Sequence, residues 1–449
     1  MRIGIDKRLS RDVIRLATPA IAGLSSQMVV SIINTGMVGR LPDTQVQLAA
    51  MGLGFLGSWA ITSLFSSLGT GTHVLTARRH GQGNPLAAGE VLNNSLLICF
   101  ILGVVFGGLG YLFSYNIMDF FSKSEAVTRS GAAYMRYQFL GLPFFLLIVS
   151  YRGFFYGIGH TKIFMFSAII INVFNILFNY LFIFGKLGFP RMELAGAGVG
   201  SAVSMVIGWL FFLSVTFLGD YRKQYQYFSH FSISKDVIAQ IVRISVPVSL
   251  QSILILLGFL VFVAITGIIG TVDQAASQVV ITALFISLMP CFGFGIAGQT
   301  LVGQSIGRGE VGLAHSYGYE TAKVTTIFTI AIGLIFVFIP DAILLIITTN
   351  DDVIRVARPL LQIAGIAQVF YGSGIIFANT LQAGGEMVYV MFVEILTHWV
   401  IFLPLTYVFG VTLGGGIKGA WLALPVYVIA YTTMNFLRFR SGSWLHRRI

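Results

Sequence analysis

The sequence predicts an all-α membrane protein: twelve transmembrane helices arranged as two pseudo-symmetric six-helix bundles. Three observations carry that expectation. Mean hydropathy is +0.85, and only 10% of the 449 residues are charged while 56% are apolar. A water-soluble surface needs far more charge. Apolar runs of about twenty residues recur along the chain, each able to cross roughly 30 Å of hydrocarbon, whereas β-barrel spans would read as short alternating segments. The third observation is an internal repeat.

The spans are expected at 14–39, 48–77, 91–114, 132–157, 163–186, 195–218, 240–269, 277–304, 322–347, 357–382, 387–410 and 417–437. The first follows Arg2, Lys7, Arg8 and Arg11 and is too long for the apolar region of a signal peptide, so it is expected to be retained. It contains Pro19, which removes a backbone donor and invites a bend. Gln27, Ser31 and Asn34 lie at i, i+4, i+7 of the same helix and share one stripe. A polar stripe on a bendable helix suggests a lined cavity, though short polar side chains also join membrane helices. The second and eighth spans carry Gly69, Gly71, Gly293, Gly295 and Gly298, which permit close helix approach and bending.

Arg152 lies inside the fourth span, where a guanidinium should face a cleft or a partner. The fifth span repeats the polar pattern with Asn172, Asn175 and Asn179 at i, i+3, i+7. The longest polar interruption, from Gly219 to Gln240, includes Asp220, Arg222, Lys223, His230, Lys235 and Asp236. It divides the chain into an N-lobe (1–218), a cytoplasmic linker (219–239) and a C-lobe (240–449). In the eleventh span Glu394 and His398 stand at i, i+4 of an otherwise apolar helix. An ionisable pair at that depth suggests proton or cation handling, with a structural pair as the alternative. Tyr151, Phe154, Phe155, Phe292 and Phe294 are candidates for stacking against flat cations.

Basic residues set the orientation. With the N-terminus inside, the cytoplasmic ends and loops carry twice as many Lys and Arg as the outer ones, from Arg2 to Arg447 and Arg448. Both termini are therefore expected in the cytoplasm, with the protein in the cytoplasmic (inner) membrane.

The halves match segment by segment. Arg15-Leu16-Ala17-Thr18-Pro19 parallels Arg243-Ile244-Ser245-Val246-Pro247. Thr35-Gly36-Met37-Val38-Gly39 parallels Thr266-Gly267-Ile268-Ile269-Gly270, and Gly81-Gln82-Gly83 parallels Gly307-Arg308-Gly309. The offset stays between roughly 225 and 231 residues. Two halves entering from one side form a parallel repeat, an architecture that places a cavity between rocking bundles and points to a transporter.

Other classes find no support. The net charge of +11 comes from short loops and tails, so it does not argue for nucleic acid. Cys99 and Cys291 form no spacing motif. No nucleotide-binding loop, metal cluster or nucleophile–base pair is present, so neither an enzyme nor a cofactor is expected, and an ion gradient would supply the energy.

Asn34-Thr35-Gly36-Met37-Val38-Gly39-Arg40-Leu41 resembles the Asp-Thr-x-Met-Val-Gly-x-Leu pattern closing the first helix of MATE (multidrug and toxic compound extrusion) transporters. The resemblance extends over essentially the whole chain, including the glycine loops of both halves and Ala195-Gly196-Ala197-Gly198 at the start of span six. It is most like the DinF-type branch. It implies a monomeric antiporter that exports organic cations or amphipathic drugs in exchange for protons or sodium. The family's first-helix acid and polar residues of span five form a cation-coupling and substrate cavity, here matched by Gln27, Ser31, Asn34, Asn172, Asn175 and Asn179. Pro19 matches the family's hinge proline, and Glu394 with His398 is a second candidate proton site. The sequence departs at Asn34, where the pattern has aspartate: an amide takes up no proton near neutral pH, so the proton site as the family builds it is absent. A lipid-linked sugar flippase of the same superfamily would need a larger, more cationic cavity, and a non-transporting receptor would not need duplicated halves.

Overall fold

A computed structural model describes residues 4–228 and 233–446. Arg2, His230, Arg447 and Arg448 lie outside the described residues. Twelve helices are long and apolar enough to cross a membrane, in the expected order. They are α1 (Lys7–Val38), α2 (Thr44–Gly81), α3 (Pro85–Phe121), α4 (Glu125–Gly157), α5 (Thr161–Phe184), α6 (Glu193–Leu218), α7 (Lys235–Ile269), α8 (Thr271–Gly307), α9 (Val311–Phe338), α10 (Asp351–Ala383), α11 (Met387–Thr412) and α12 (Gly416–Arg440). Their length and composition make the chain a multi-pass membrane protein.

Most helices begin earlier than hydropathy suggests, because polar turns extend them beyond the apolar stretch. Side-chain capping fixes two of these starts. The Asn84 side chain accepts from the Ala87 N–H at 3.0 Å, with Pro85 in the first turn of α3. Asn350 accepts from the N–H groups of Asp352 and Val353 at 3.0 and 3.2 Å. Each cap satisfies donors that the helix itself leaves open. The expected ninth span, 322–347, is corrected: α9 ends at Phe338 and a separate short helix covers Pro340–Ile347. Pro340 has no N–H to continue the ladder and sits at the start of the new helix, where none is required.

The chain forms two compact units. The N-unit is Ala22–Ser249; the C-unit is Met1–Ile21 together with Leu250–Ile449. The lobes expected at 1–218 and 240–449 were bounded by the polar linker, whereas these units divide inside α1 and α7. In both helices the division falls two residues beyond a proline, Pro19 or Pro247. Helix α1 continues unbroken through Pro19.

Within the N-unit, α4 is the central helix and packs against α2, α3 and α6. Its counterpart in the C-unit is α10, packed against α8, α9 and α12. These are the two most buried spans. Close approach depends on missing side chains: a Cβ on Gly153 would fall 2.4 Å from the Gly69 carbonyl oxygen. In the C-unit Gly333 and Gly365 face each other in the same way, at 2.6 and 2.9 Å from the opposing carbonyls. Helix α11 is irregular, with π-helical turns at Leu396–Phe402 and Val408–Thr412.

Candidate functional site

The N-unit holds an open cavity of about 290 Å³ lined by polar side chains of α1, α4, α5 and α6. Gln27, Ser31 and Asn34 reach it from α1, and Asn172 and Asn175 from α5. The i, i+4, i+7 and i, i+3 spacings thus bring two helical stripes to one space. Asn179 is different. It is fully buried and stands behind the lining, where its amide donates to Asn34 Oδ1 at 2.9 Å and to Asn175 Oδ1 at 3.1 Å. Asn34 in turn donates to Asn175 Oδ1 at 2.9 Å, closing a ring of three amides. Asn175 also donates to Ser201 Oγ at 3.1 Å, and Asn172 to Ser26 Oγ at 2.7 Å.

Among the described residues no carboxylate lines this cavity. Its single charged lining residue is Arg152 of α4, half-buried, with its guanidinium 5.9 Å from the centre of the Phe164 ring. The apolar wall comes from Phe55, Phe145 and Phe164. The aromatic candidates read from sequence lie elsewhere. Tyr151, Phe154 and Phe155 are buried in a cluster with Phe212, Tyr225 and Tyr227, and Phe294 belongs to the core of the C-unit. Their apolar rings serve packing between helices and beneath the linker segment Tyr221–Phe228. Gln138 was missed by sequence reading. It lines the cavity, accepts from Ser58 Oγ and donates to the Tyr134 hydroxyl, both at 2.5 Å. Its signal was a polar amide one helical turn from Tyr134 inside an apolar span.

The C-unit holds the second candidate. Glu394 and His398 are both buried, 4% and 8% exposed, at the entry to the first π-helical turn. Tyr427 of α12 donates to Glu394 Oε1 at 2.9 Å. The Nδ1 atom of His398 is 3.7 Å from the same oxygen, and neither ring nitrogen has a hydrogen-bond partner among the described residues. Tyr371 of α10 and Tyr431 of α12 complete a triangle of phenol rings with Tyr427, their centroids 6.1–6.4 Å apart. Cys291 of α8 lies near Tyr371. On the side of α7, Gly258 makes room: a Cβ there would fall 2.5 Å from the imidazole. The neighbouring Trp399 is anchored by donating to the Leu254 carbonyl at 3.1 Å.

Two further carboxylates are buried and were missed. Glu320 accepts from Ser10 Oγ at 2.6 Å and from the Asp6 N–H at 2.9 Å, with Lys323 at 3.1 Å. Glu386 pairs with Arg438 at 2.7 Å. Sequence reading began spans nine and eleven just beyond these residues and so left them in loops. Both are fully paired where they stand, the condition under which a buried charge persists.

Twelve membrane-length helices, a duplicated plan and a polar cavity inside one bundle define a polytopic membrane protein of transporter architecture. The MatE family model matches residues 19–181 and 247–408, one match in each half. The chain belongs to the MatE family. It is 25% identical over 448 residues to a "Probable multidrug resistance protein NorM" of Thermotoga maritima, covering 98% of this chain and 94% of that one. The "Multidrug resistance protein NorM" of Vibrio cholerae is also 25% identical, over 455 residues, with 98% and 97% covered. Among solved structures, a MOP superfamily transporter from Pyrococcus furiosus superposes with a TM-score of 0.89 at 21% identity, covering 99% and 98% of the two chains. A MATE in the straight conformation gives 0.89 at 22%, covering 98% and 97%. These likenesses show the same fold.

Proposed function

We propose that this protein is a secondary multidrug exporter that binds small amphipathic molecules in the N-unit cavity and exchanges them for protons. The observation that carries the reading is a cavity of small-molecule size, lined by amides on one hand and by aromatic and aliphatic side chains on the other, in a member of a family whose relatives bear the name multidrug resistance. Gln27, Ser31, Asn34, Asn172 and Asn175 orient the substrate through hydrogen bonds, and Asn179 holds Asn34 and Asn175 in place. Organic cations, expected from the resemblance, find no carboxylate there.

The proton has its own place in this reading. The amides of the N-unit cannot titrate, so Glu394 is the carrier, with His398 beside it. One carboxylate among phenols and an imidazole is a proton-handling set, whereas a hard metal ion favours a cage of oxygen ligands. Pro19 serves as the hinge of α1, since a helix lacking one backbone hydrogen bond bends there. The basic-residue bias supports an inner-membrane protein with cytoplasmic termini.

The experiment is accumulation of fluorescent dyes in cells stripped of their own exporters. Expression should lower accumulation, and collapse of the pH gradient should restore it. Accumulation that ignores expression ends the export reading. Export that follows a sodium gradient while ignoring pH ends the proton assignment alone.

A further inference from the structure

We propose that the N-unit cavity is built for an amphiphile bearing an anionic group, with Arg152 as the residue that binds that group; this rests on the export reading and names its substrate class. The charge inventory comes first. The acids of the N-unit are Asp43, Glu90, Asp119, Glu125, Glu193, Asp220 and Asp236, and none of them reaches the cavity. Glu90 is engaged by Arg79 at 3.3 Å, Glu125 by Arg129 and Glu193 by Arg191. The lining is therefore neutral except for one guanidinium. A cationic drug would meet a like charge with nothing to offset it, in surroundings where water screens poorly.

Arg152 itself needs a partner. It lies five residues before the end of α4, about 7.5 Å along the axis at 1.5 Å per residue. Among the described residues no carboxylate or carbonyl accepts from it; around it stand the Phe164 ring at 5.9 Å, Gly69, and the neutral Tyr156 phenol one helical turn on. Ionisable groups inside membrane spans that lack structural partners belong to substrate and ion pathways. Arginine is the side chain whose planar fork matches a carboxylate, sulfonate or phosphate with two parallel hydrogen bonds. Beyond the guanidinium the cavity offers amides and phenyl rings, which suit the uncharged body of an aromatic acid.

The test uses the full-length protein in lipid nanodiscs and two dyes on one xanthene skeleton, the anionic fluorescein and the cationic rhodamine 123. Fluorescence polarisation should show fluorescein binding about tenfold tighter than rhodamine 123, the scale of one charge-assisted contact. Arg152→Gln should erase that preference, and Arg152→Lys should keep part of it, since lysine retains the charge without the fork. Asn34→Asp keeps the side chain's shape, gives up its donor to Asn175 and places a carboxylate in the same cavity; it should weaken fluorescein and strengthen rhodamine 123. Rhodamine 123 bound as tightly as fluorescein by the unaltered protein overturns the assignment. So does a fluorescein affinity indifferent to both Arg152→Gln and Asn34→Asp. The export reading fails separately, when neither dye binds and neither is moved by reconstituted vesicles. Export that prefers rhodamine 123 leaves that reading standing and removes only the anionic substrate.

Discussion

The two units place their polar groups in opposite ways. In the N-unit, five amides and a guanidinium face an open cavity, and nothing there changes charge near neutral pH. In the C-unit, a carboxylic acid and an imidazole are packed among tyrosines with 8% exposure or less. The comparison separates two tasks that a single aspartate could combine. Amides bind without titrating, because they carry donors and acceptors but no exchangeable charge. A buried carboxylate titrates without needing room for a drug. On the proposed reading, the duplicated plan puts the two tasks in different halves.

The sharpest way to break this contrast is Glu394→Gln. Proton-driven export from reconstituted vesicles should fall by more than about tenfold, since the proposed carrier no longer ionises. Dye affinity of the N-unit cavity should change by less than about twofold, because none of the groups lining that cavity is altered. Undiminished gradient-driven export would return the proton to some other group.

Asn34→Asp tests the other side. It gives the N-unit a titrating group, so the pH profile of export should gain a second inflection and its slope should rise a few-fold at most. A profile identical to that of the unaltered protein would mean that a carboxyl at this position stays in one protonation state.

The third comparison lies within the amide ring. Asn179→Leu takes one partner each from the half-buried Asn34 and the buried Asn175, which costs about 1–3 kcal/mol; Asn172→Leu removes a lining group with a single bond to Ser26. Thermal melting should therefore fall further for Asn179→Leu, and dye binding further for Asn172→Leu. The reverse ranking would put Asn179 in the cavity and Asn172 behind it.

The smallest effect concerns pH at the rim of the N-unit. His160, in the turn before α5, shares a 2.6 Å hydrogen bond with the Tyr221 hydroxyl, and partial burial lowers its pKa. The neutral form is thus favoured in the folded state. Its stabilising share is full above the unfolded value, about 6.5, and is lost as pH falls through the lower folded value. The side chain is largely solvent-accessible, so screening keeps this small. Melting at pH 5.5 should sit slightly below melting at pH 7.5, and His160→Gln should narrow that gap. A gap that His160→Gln widens would reverse the sign.

What the sequence made legible follows from what periodicity can carry. Twelve apolar runs and the polar stripes of α1 and α5, Asn34 among them, are one-dimensional signals, and the two stripes pointed to residues the fold brings together. Arg152 was visible as a charge in a span, but the neutrality of everything around it depends on which side chains from α1, α2 and α5 share its space. The aromatic candidates failed for the same reason, since a phenyl ring on a membrane helix looks alike whether it lines a cavity or fills a core. Sharing of α1 and α7 between units depends on tertiary contacts. Its only trace in the chain was the matched pair Pro19 and Pro247.

The π-helical turns of α11 bear on how the two halves descend from one another. A ladder running from i to i+5 accommodates one residue more than an α-turn. Helix α11 has 26 residues and its repeat counterpart α5 has 24, and α11 contains two such turns. Two such turns match that difference of two residues. A residue absorbed in such a turn leaves the faces beyond it in place, whereas in a regular α-helix it would rotate them by about 100°. A pairing of the halves by constant offset is therefore sound for Glu394, ahead of the first bulge, and drifts onto the wrong helical face after it.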